Sequence, residues 1–482
     1  MEHKIKKKYP SLVLNFFLVF VLSGYVTGEE LPRTVPREYI TDLGDRPEPL
    51  SVETLIYASL YLSGTKPDDM DSYLDKFHTF IELFKNRTKD IESSYQLGET
   101  LLLLLHENFF TTYVENQTKV DVLLETGRYN CVSSAVLYLI FGKALGLSIK
   151  TINTRDHVLC AVKTEEKYID VETTNPYGFD PGKKKKFIDS FGNMTGYTYV
   201  PPGNYRLREE GGEKKLLSFI LQNRISELER KKKYKEAVEL AIDRYVFLKD
   251  EKAREDMVKE VINFCSYLNE QEQYVKALDF LEKIKKHYGE HSKFVKITGV
   301  LVNNQVASLL RERKYNEARD FLEEYFEKAA IEKQMWINLS SIITEQSIKE
   351  SIGELPYEEA FKILRESFEH GEITRSFFID YTVYLAGREA NYIAEIEGWL
   401  EAAEFIETVI EIVGNDGRLL KARDAFRRNF AIQEHNRFAE LFNSGNYEEA
   451  IEVLESALKK SPQSDILKRD LSVAREALKE MQ

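Results

Sequence analysis

Cysteine is scarce in this chain: Cys131, Cys160 and Cys265 are the only three in 482 residues, too few and too scattered to frame a disulfide-built fold. No Cys-x-x-Cys or His-Glu-x-x-His spacing occurs, which argues against a zinc site, and no other pattern calls for a metal or a cofactor. Positive charge is in deficit as well. The 67 Lys and Arg against 80 Asp and Glu give a formal net charge of −13, the wrong sign for binding nucleic acid by counterion release. Beyond the first 28 residues no apolar run is long enough to cross a bilayer.

What is present describes a folded chain of several parts. A hydrophobic fraction of 43% and an aromatic fraction of 12% belong to a globular protein, and the length suits about three folding units. Residues 1–28 place Lys4, Lys6, Lys7 and Lys8 before an apolar run from Leu12 to Leu22, then small residues up to Gly28. That is the layout of a secretory signal peptide, so an exported protein, periplasmic or extracellular, is expected. An uncleaved segment would instead anchor the chain, and it is the one route to membrane association that the sequence offers. In an exported protein, three cysteines leave at least one thiol without an intramolecular partner.

Residues 29–125 read as helices. Ser51-Val-Glu-Thr54 is a helix start, Asp71 to Phe84 has aromatic residues at helical spacing, and the leucines from Leu101 to Leu105 need burial. His78 and His106 fall within these patterns and read as structural or exposed rather than catalytic.

The chemistry concentrates in residues 126–212. Cys131 opens a segment that is apolar on nearly every face and ends at Gly146. Asn130 is a good N-cap, which places Cys131 at the first helical position, where the helix terminus favours thiolate and the first-turn amides could hold an oxyanion. Strands follow at Leu147–Asn153, His157–Val162 and Lys167–Val171, the last two joined by a turn through Thr164, Glu165 and Glu166. Alternation sets His157 and Asp170 on one face, with Asp170 orienting the imidazole and His157 acting as base toward Cys131. Cys160 falls on the opposite face and reads as core.

Cysteine at a helix start, histidine opening a strand and aspartate on the next strand form a pattern that resembles the transglutaminase-like thiol superfamily. The match runs from about Gly127 to Asn175, with Cys131, His157 and Asp170 on the nucleophile, base and orienting positions. The resemblance implies an α+β, papain-like domain with N-terminal helices. It also implies acyl-thioester chemistry on protein or peptide amides, resolved by water or by an amine. After the site, Thr173–Gly182 and Tyr197–Tyr205 are loops rich in aromatics, suited either to a cleft wall or to covering the core.

Residues 213–482 repeat a signature at intervals near forty residues: Tyr234-Lys-Glu-Ala237, Tyr274-Val-Lys-Ala277, Tyr315-Asn-Glu-Ala318, Tyr357-Glu-Glu-Ala360, Trp399-Leu-Glu-Ala402 and Tyr447-Glu-Glu-Ala450. Each copy opens an amphipathic helix preceded by another helix. The array resembles an all-α solenoid of tetratricopeptide type, with Cys265 in its core and a capping helix after Ser461. Such arrays bind peptides or proteins along one face. Two readings of function follow. One is an exported cysteine hydrolase or acyltransferase whose repeats recruit a protein partner or substrate. The other is a non-catalytic protein-binding scaffold of the cell envelope.

Overall fold

A computed structural model of the chain describes residues 30–154, 157–181, 187 and 208–481. The segment 1–28 read as a signal peptide or anchor lies outside the described residues, as do Lys183–Lys186 and the Tyr197–Tyr205 loop. Two compact units divide the chain, Met1–His291 and Ser292–Gln482.

The first unit begins with helices α1 (Glu38–Asp45), α2 (Val52–Ser63), α3 (Pro67–Thr88) and α4 (Ser94–Asn108). Ser51 caps α2 by accepting from the Thr54 amide at 3.1 Å. Strand β1 (Thr112–Tyr113), α5 (Val120–Thr126), β2 (Arg128–Tyr129) and α6 (Cys131–Ala144) come next. Every residue of α6 from Val132 to Gly142 is buried. The Phe141 ring lies 5.1 Å from that of Phe84, 5.6 Å from Phe109 and 5.7 Å from Phe77, which locks α6 against α3 and the end of α4. Large apolar groups buried this way each contribute about 1.5–3 kcal/mol. Four short strands, β3 (Ile149–Asn153), β4 (Val158–Lys163), β5 (Tyr168–Val171) and β6 (Glu209–Gly211), form an antiparallel sheet in the order β5-β4-β3-β6. Helix pairs α7 (Glu213–Arg230) with α8 (Tyr234–Leu248) and α9 (Glu251–Glu270) with α10 (Tyr274–Tyr288) complete the unit.

The extended segment before α1 is held to α8 by charge. Asp243, fully buried, accepts from Arg33 at 2.7 Å and from the Arg37 side chain at 2.8 Å, and the Arg37 amide donates to it at 3.1 Å. The Tyr288 hydroxyl donates to the Thr34 carbonyl at 3.0 Å. Asp243 therefore has two guanidinium groups and an amide around it, which a buried carboxylate requires.

The second unit is helical throughout its described residues: α11 (Ser292–Arg311), α12 (Tyr315–Glu327), α13 (Lys333–Ile352), α14 (Tyr357–Glu369), α15 (Arg375–Ile396), α16 (Trp399–Val413), α17 (Gly417–Asn443), α18 (Tyr447–Lys460) and α19 (Asp465–Met481). The six signature aromatics open α8, α10, α12, α14, α16 and α18, and the six signature alanines are all fully buried. A methyl at those positions allows the paired helix to approach closely. The turn before the aromatic is itself repeated. Lys232 (φ 56°), Glu272 (φ 56°), Arg313 (φ 60°) and Gly445 (φ 79°) each stand two residues ahead of the tyrosine in the left-handed region. That conformation reverses the chain within three residues and sets the next helix antiparallel. The remaining two copies turn on Pro356 and on Gly398 instead.

This architecture corrects the expected fold class. The described residues contain nineteen helices, with strands confined to short stretches of the first unit. The chain is predominantly all-α and repeat-like, and a papain-like α+β core is not evident. The motif that prompts that expectation is local: one buried helix and the strands after it, enclosed by helices on either side in sequence.

Gly445 has no neighbour within reach of an added Cβ, so Gly445→Ala tests backbone strain alone. It should cost about 1–2 kcal/mol, and Lys232→Gly should stabilise by about 1 kcal/mol, read as opposite shifts in the midpoint of thermal unfolding.

Candidate functional site

Asn130 begins the site by fixing the start of α6. Its Oδ1 accepts from the amides of Val132 (3.1 Å) and Ser133 (3.0 Å), and the Ser133 hydroxyl accepts from the Asn130 amide at 3.0 Å. This reciprocal cap leaves the amide of Cys131 outside its network, at the positive end of the helix. The Asn130 side chain also donates to the Glu115 carbonyl at 2.9 Å, tying the helix start to the preceding loop. The Cys131 side chain is half-buried, whereas Cys160 and Cys265 are fully buried. Burial pushes the Cys160 thiol well up and the Cys265 thiol to about 12.

His157 lies close enough to Cys131 for the thiol to favour its charged form. On its other side, Nε2 of His157 meets Oε2 of Glu172 at 2.6 Å. With Nε2 engaged by Glu172, Nδ1 is the ring nitrogen left for the thiol. The His157 side chain is 21% exposed and that of Glu172 only 2%. Burial alone would discharge both groups. The Glu172 carboxylate nonetheless raises His157 well above its usual range, aided by Cys131. Burial likewise opposes the charge of Glu172, yet His157 and the Thr174 donors hold its carboxyl below the usual value. Oε1 of Glu172 accepts from the Thr174 hydroxyl at 2.6 Å and from the Thr174 amide at 3.2 Å.

A tight turn holds Glu172 in place. The Glu172 amide donates to the Gly178 carbonyl at 2.8 Å, and the Gly178 amide donates to the Asn175 carbonyl at 2.9 Å. A Cβ on Gly178 would sit 2.0 Å from the Glu172 carbonyl oxygen, so only glycine fits. Beneath the turn, the Thr173 hydroxyl is 2.8 Å from that of Ser134, and Tyr129 donates to the Thr174 carbonyl at 3.0 Å. The His106 ring nitrogen is 3.1 Å from the Thr173 carbonyl, and burial lowers its pKa to about 4.

The structure thus brings Cys131 and His157 together and places Asp170 elsewhere. Asp170 is paired with Arg208 at 2.5 and 3.1 Å. The reason is register. The β4–β5 turn pairs Lys163 with Tyr168, which puts Asp170 opposite Ala161. Residue 172 lies on the same face one pleat nearer His157, and it is a glutamate.

No family model matches the chain, and no curated protein matches it. A solved structure similar to it is described as a crystal structure of menin that reveals the binding site for Mixed Lineage Leukemia (MLL) protein. The likeness is 10% in identity with a TM-score of 0.30, over 82% of this chain and 92% of that one. The expected membership in the transglutaminase-like superfamily does not hold. No family model supports it, the architecture is predominantly helical, and the Cys131–His157–Asp170 triad on which it rests is not assembled.

The linkage of the His157–Glu172 pair has two limits. The contribution of Glu172 is present above its unfolded value of about 4.5 and fades as pH falls through its lowered one. That of His157 is present below its unfolded value of about 6.5 and fades as pH rises through its raised one. Glu172→Ala should therefore cost about 3 kcal/mol or more near pH 5–6 and less in strong alkali, measured by urea unfolding at both pH values. Gly178→Ala should reproduce part of that loss.

Proposed function

We propose that the chain is a protein-binding scaffold whose helical array holds a protein or peptide partner. The supporting observation lies in the second unit. There helices of neighbouring pairs touch in two groups, α11 with α13, and α17 with both α15 and α19. Each of these five helices carries at least one exposed large apolar side chain, among them Val300, Ile342, Ile432 and Val473; of the second helices α12 and α18 carry none, and α14 and α16 carry Ile363 and Ile412. Stacked helices showing apolar side chains to solvent are suited to a partner's surface.

A photo-cross-linking residue placed at Ile342 or Ile432 tests this reading in extracts of the cells that make the protein. Adducts to the same partner from both positions, with rebinding of that partner in pure form, are expected. Probes on α12 and α18 should give none, and Cys131→Ala should leave capture unchanged. Equal labelling from every position would defeat the proposal.

A second reading is supported by one observation, the paired His157 and Glu172 standing beside Cys131. In it the Cys131 sulfur attacks an amide carbonyl, the C–N bond breaks with His157 giving its proton to the leaving amine, and the thioester passes to water or to an amine. Iodoacetamide should then modify Cys131 on the folded chain while Cys160 and Cys265 stay unmodified. Glu172→Gln should slow that modification about tenfold or more, by analogy with a misoriented base. A rate unchanged by Glu172→Gln, followed by mass spectrometry, would remove this second reading.

A further inference from the structure

The three most exposed large apolar side chains among the described residues are Ile396 (63%), Tyr392 (59%) and Tyr384 (56%). All three lie on α15, at positions 384, 392 and 396. With Arg388 they occupy successive i, i+4 positions, so they form one ridge along the helix. Arg388, the one base on the ridge, is turned away. Its guanidinium donates to the carbonyls of Gly353 and Leu355. Glu389 and Glu395 stand three residues before and after Tyr392, flanking the ridge on either side.

The surroundings in sequence are strongly acidic. Residues 354–416 contain fifteen Asp and Glu against four Lys and Arg, so this stretch holds most of the excess negative charge of the chain. Among the described residues, Glu389, Glu395, Glu397, Glu404 and Glu411 take part in no ion pair. An apolar ridge with two tyrosines, bordered by unneutralised carboxylates, is complementary to a particular kind of surface. We infer that this ridge docks a basic amphipathic helix of a partner protein, its apolar face on Tyr384, Tyr392 and Ile396 and its Lys or Arg side chains on the flanking glutamates. A second copy of this chain would bring like charge against like. The inference rests on the scaffold reading and gives it a location and a partner chemistry.

The probe is a fluorescein-labelled helical peptide of about 18 residues built from Leu and Lys with one apolar face, and its Leu/Glu counterpart serves as control. Binding to the full chain is followed by anisotropy. The Leu/Lys peptide should bind and the Leu/Glu peptide should not. The double variant Tyr392→Ala, Ile396→Ala should weaken binding about tenfold or more while leaving the net charge unaltered, so general attraction to an acidic protein cannot mimic the effect. Glu389→Gln with Glu395→Gln should weaken it severalfold and flatten its salt dependence. Both apolar positions are mostly exposed, so the fold should tolerate their loss. An unaffected alanine variant overturns the inference. So does a dimer in sedimentation velocity that the alanine variant dissociates, because the ridge would then belong to a second copy. Should the ridge fail while cross-linking from Ile342 and Ile432 still captures a partner, only this inference falls. Should both fail, the scaffold reading falls with it.

Discussion

Close approach between paired helices is the constraint on which most of this structure depends. A methyl group is the largest side chain that allows two helix backbones to come together at the signature positions, and six alanines with no exposed surface occupy them. The aromatic residue three positions earlier opens the second helix and packs beside the pair. The Tyr357 ring lies 5.0 Å from that of Phe405, and Tyr447 lies 5.0 Å from Phe442. Once the pair is fixed this tightly, the remaining faces of each first helix are free to differ. The variety of exposed side chains on α11 to α19 is therefore compatible with one repeated framework.

That framework is legible in the sequence because a small residue at a fixed distance from an aromatic, recurring six times, serves helix pairing and little else. The turn is not legible. Lys232, Glu272 and Arg313 adopt a left-handed conformation that glycine would adopt more easily, so composition gives no warning of it. The buried helix is equally clear from its apolar content, and Asn130 caps it as its chemistry requires. The fold class is misread from sequence for a reason of scale. A helix and two strands carry a strong local pattern, and extending that pattern to a whole domain of residues 29–212 overreaches, because helices predominate in this chain.

The site shows how much depends on register once a face is assigned. Cys131 and His157 stand out in the sequence by their positions at the ends of elements, which leave a side chain exposed to its neighbour. Asp170 lies on the correct face of its strand and in the wrong pair. Counting outward from the turn at Glu165 and Glu166 places Asp170 opposite Ala161, and the next acid on that face is Glu172. The turn after β5 also matters. Its tightness at Gly178 depends on a backbone approach that no motif advertises, and Asn175 between them is fully buried.

Asp243 has a consequence for how the chain is made. Its counter-charges, Arg33 and Arg37, emerge from the ribosome more than 200 residues before it does, since the separations are 210 and 206 residues. The leading segment therefore has no seat until about half of the chain has been made, and helix α8 cannot bury its carboxylate until that segment returns. Neither partner is satisfied alone. Nascent chains hold the two apart until Asp243 has emerged, which makes closure of this contact a natural checkpoint for completion of the first unit.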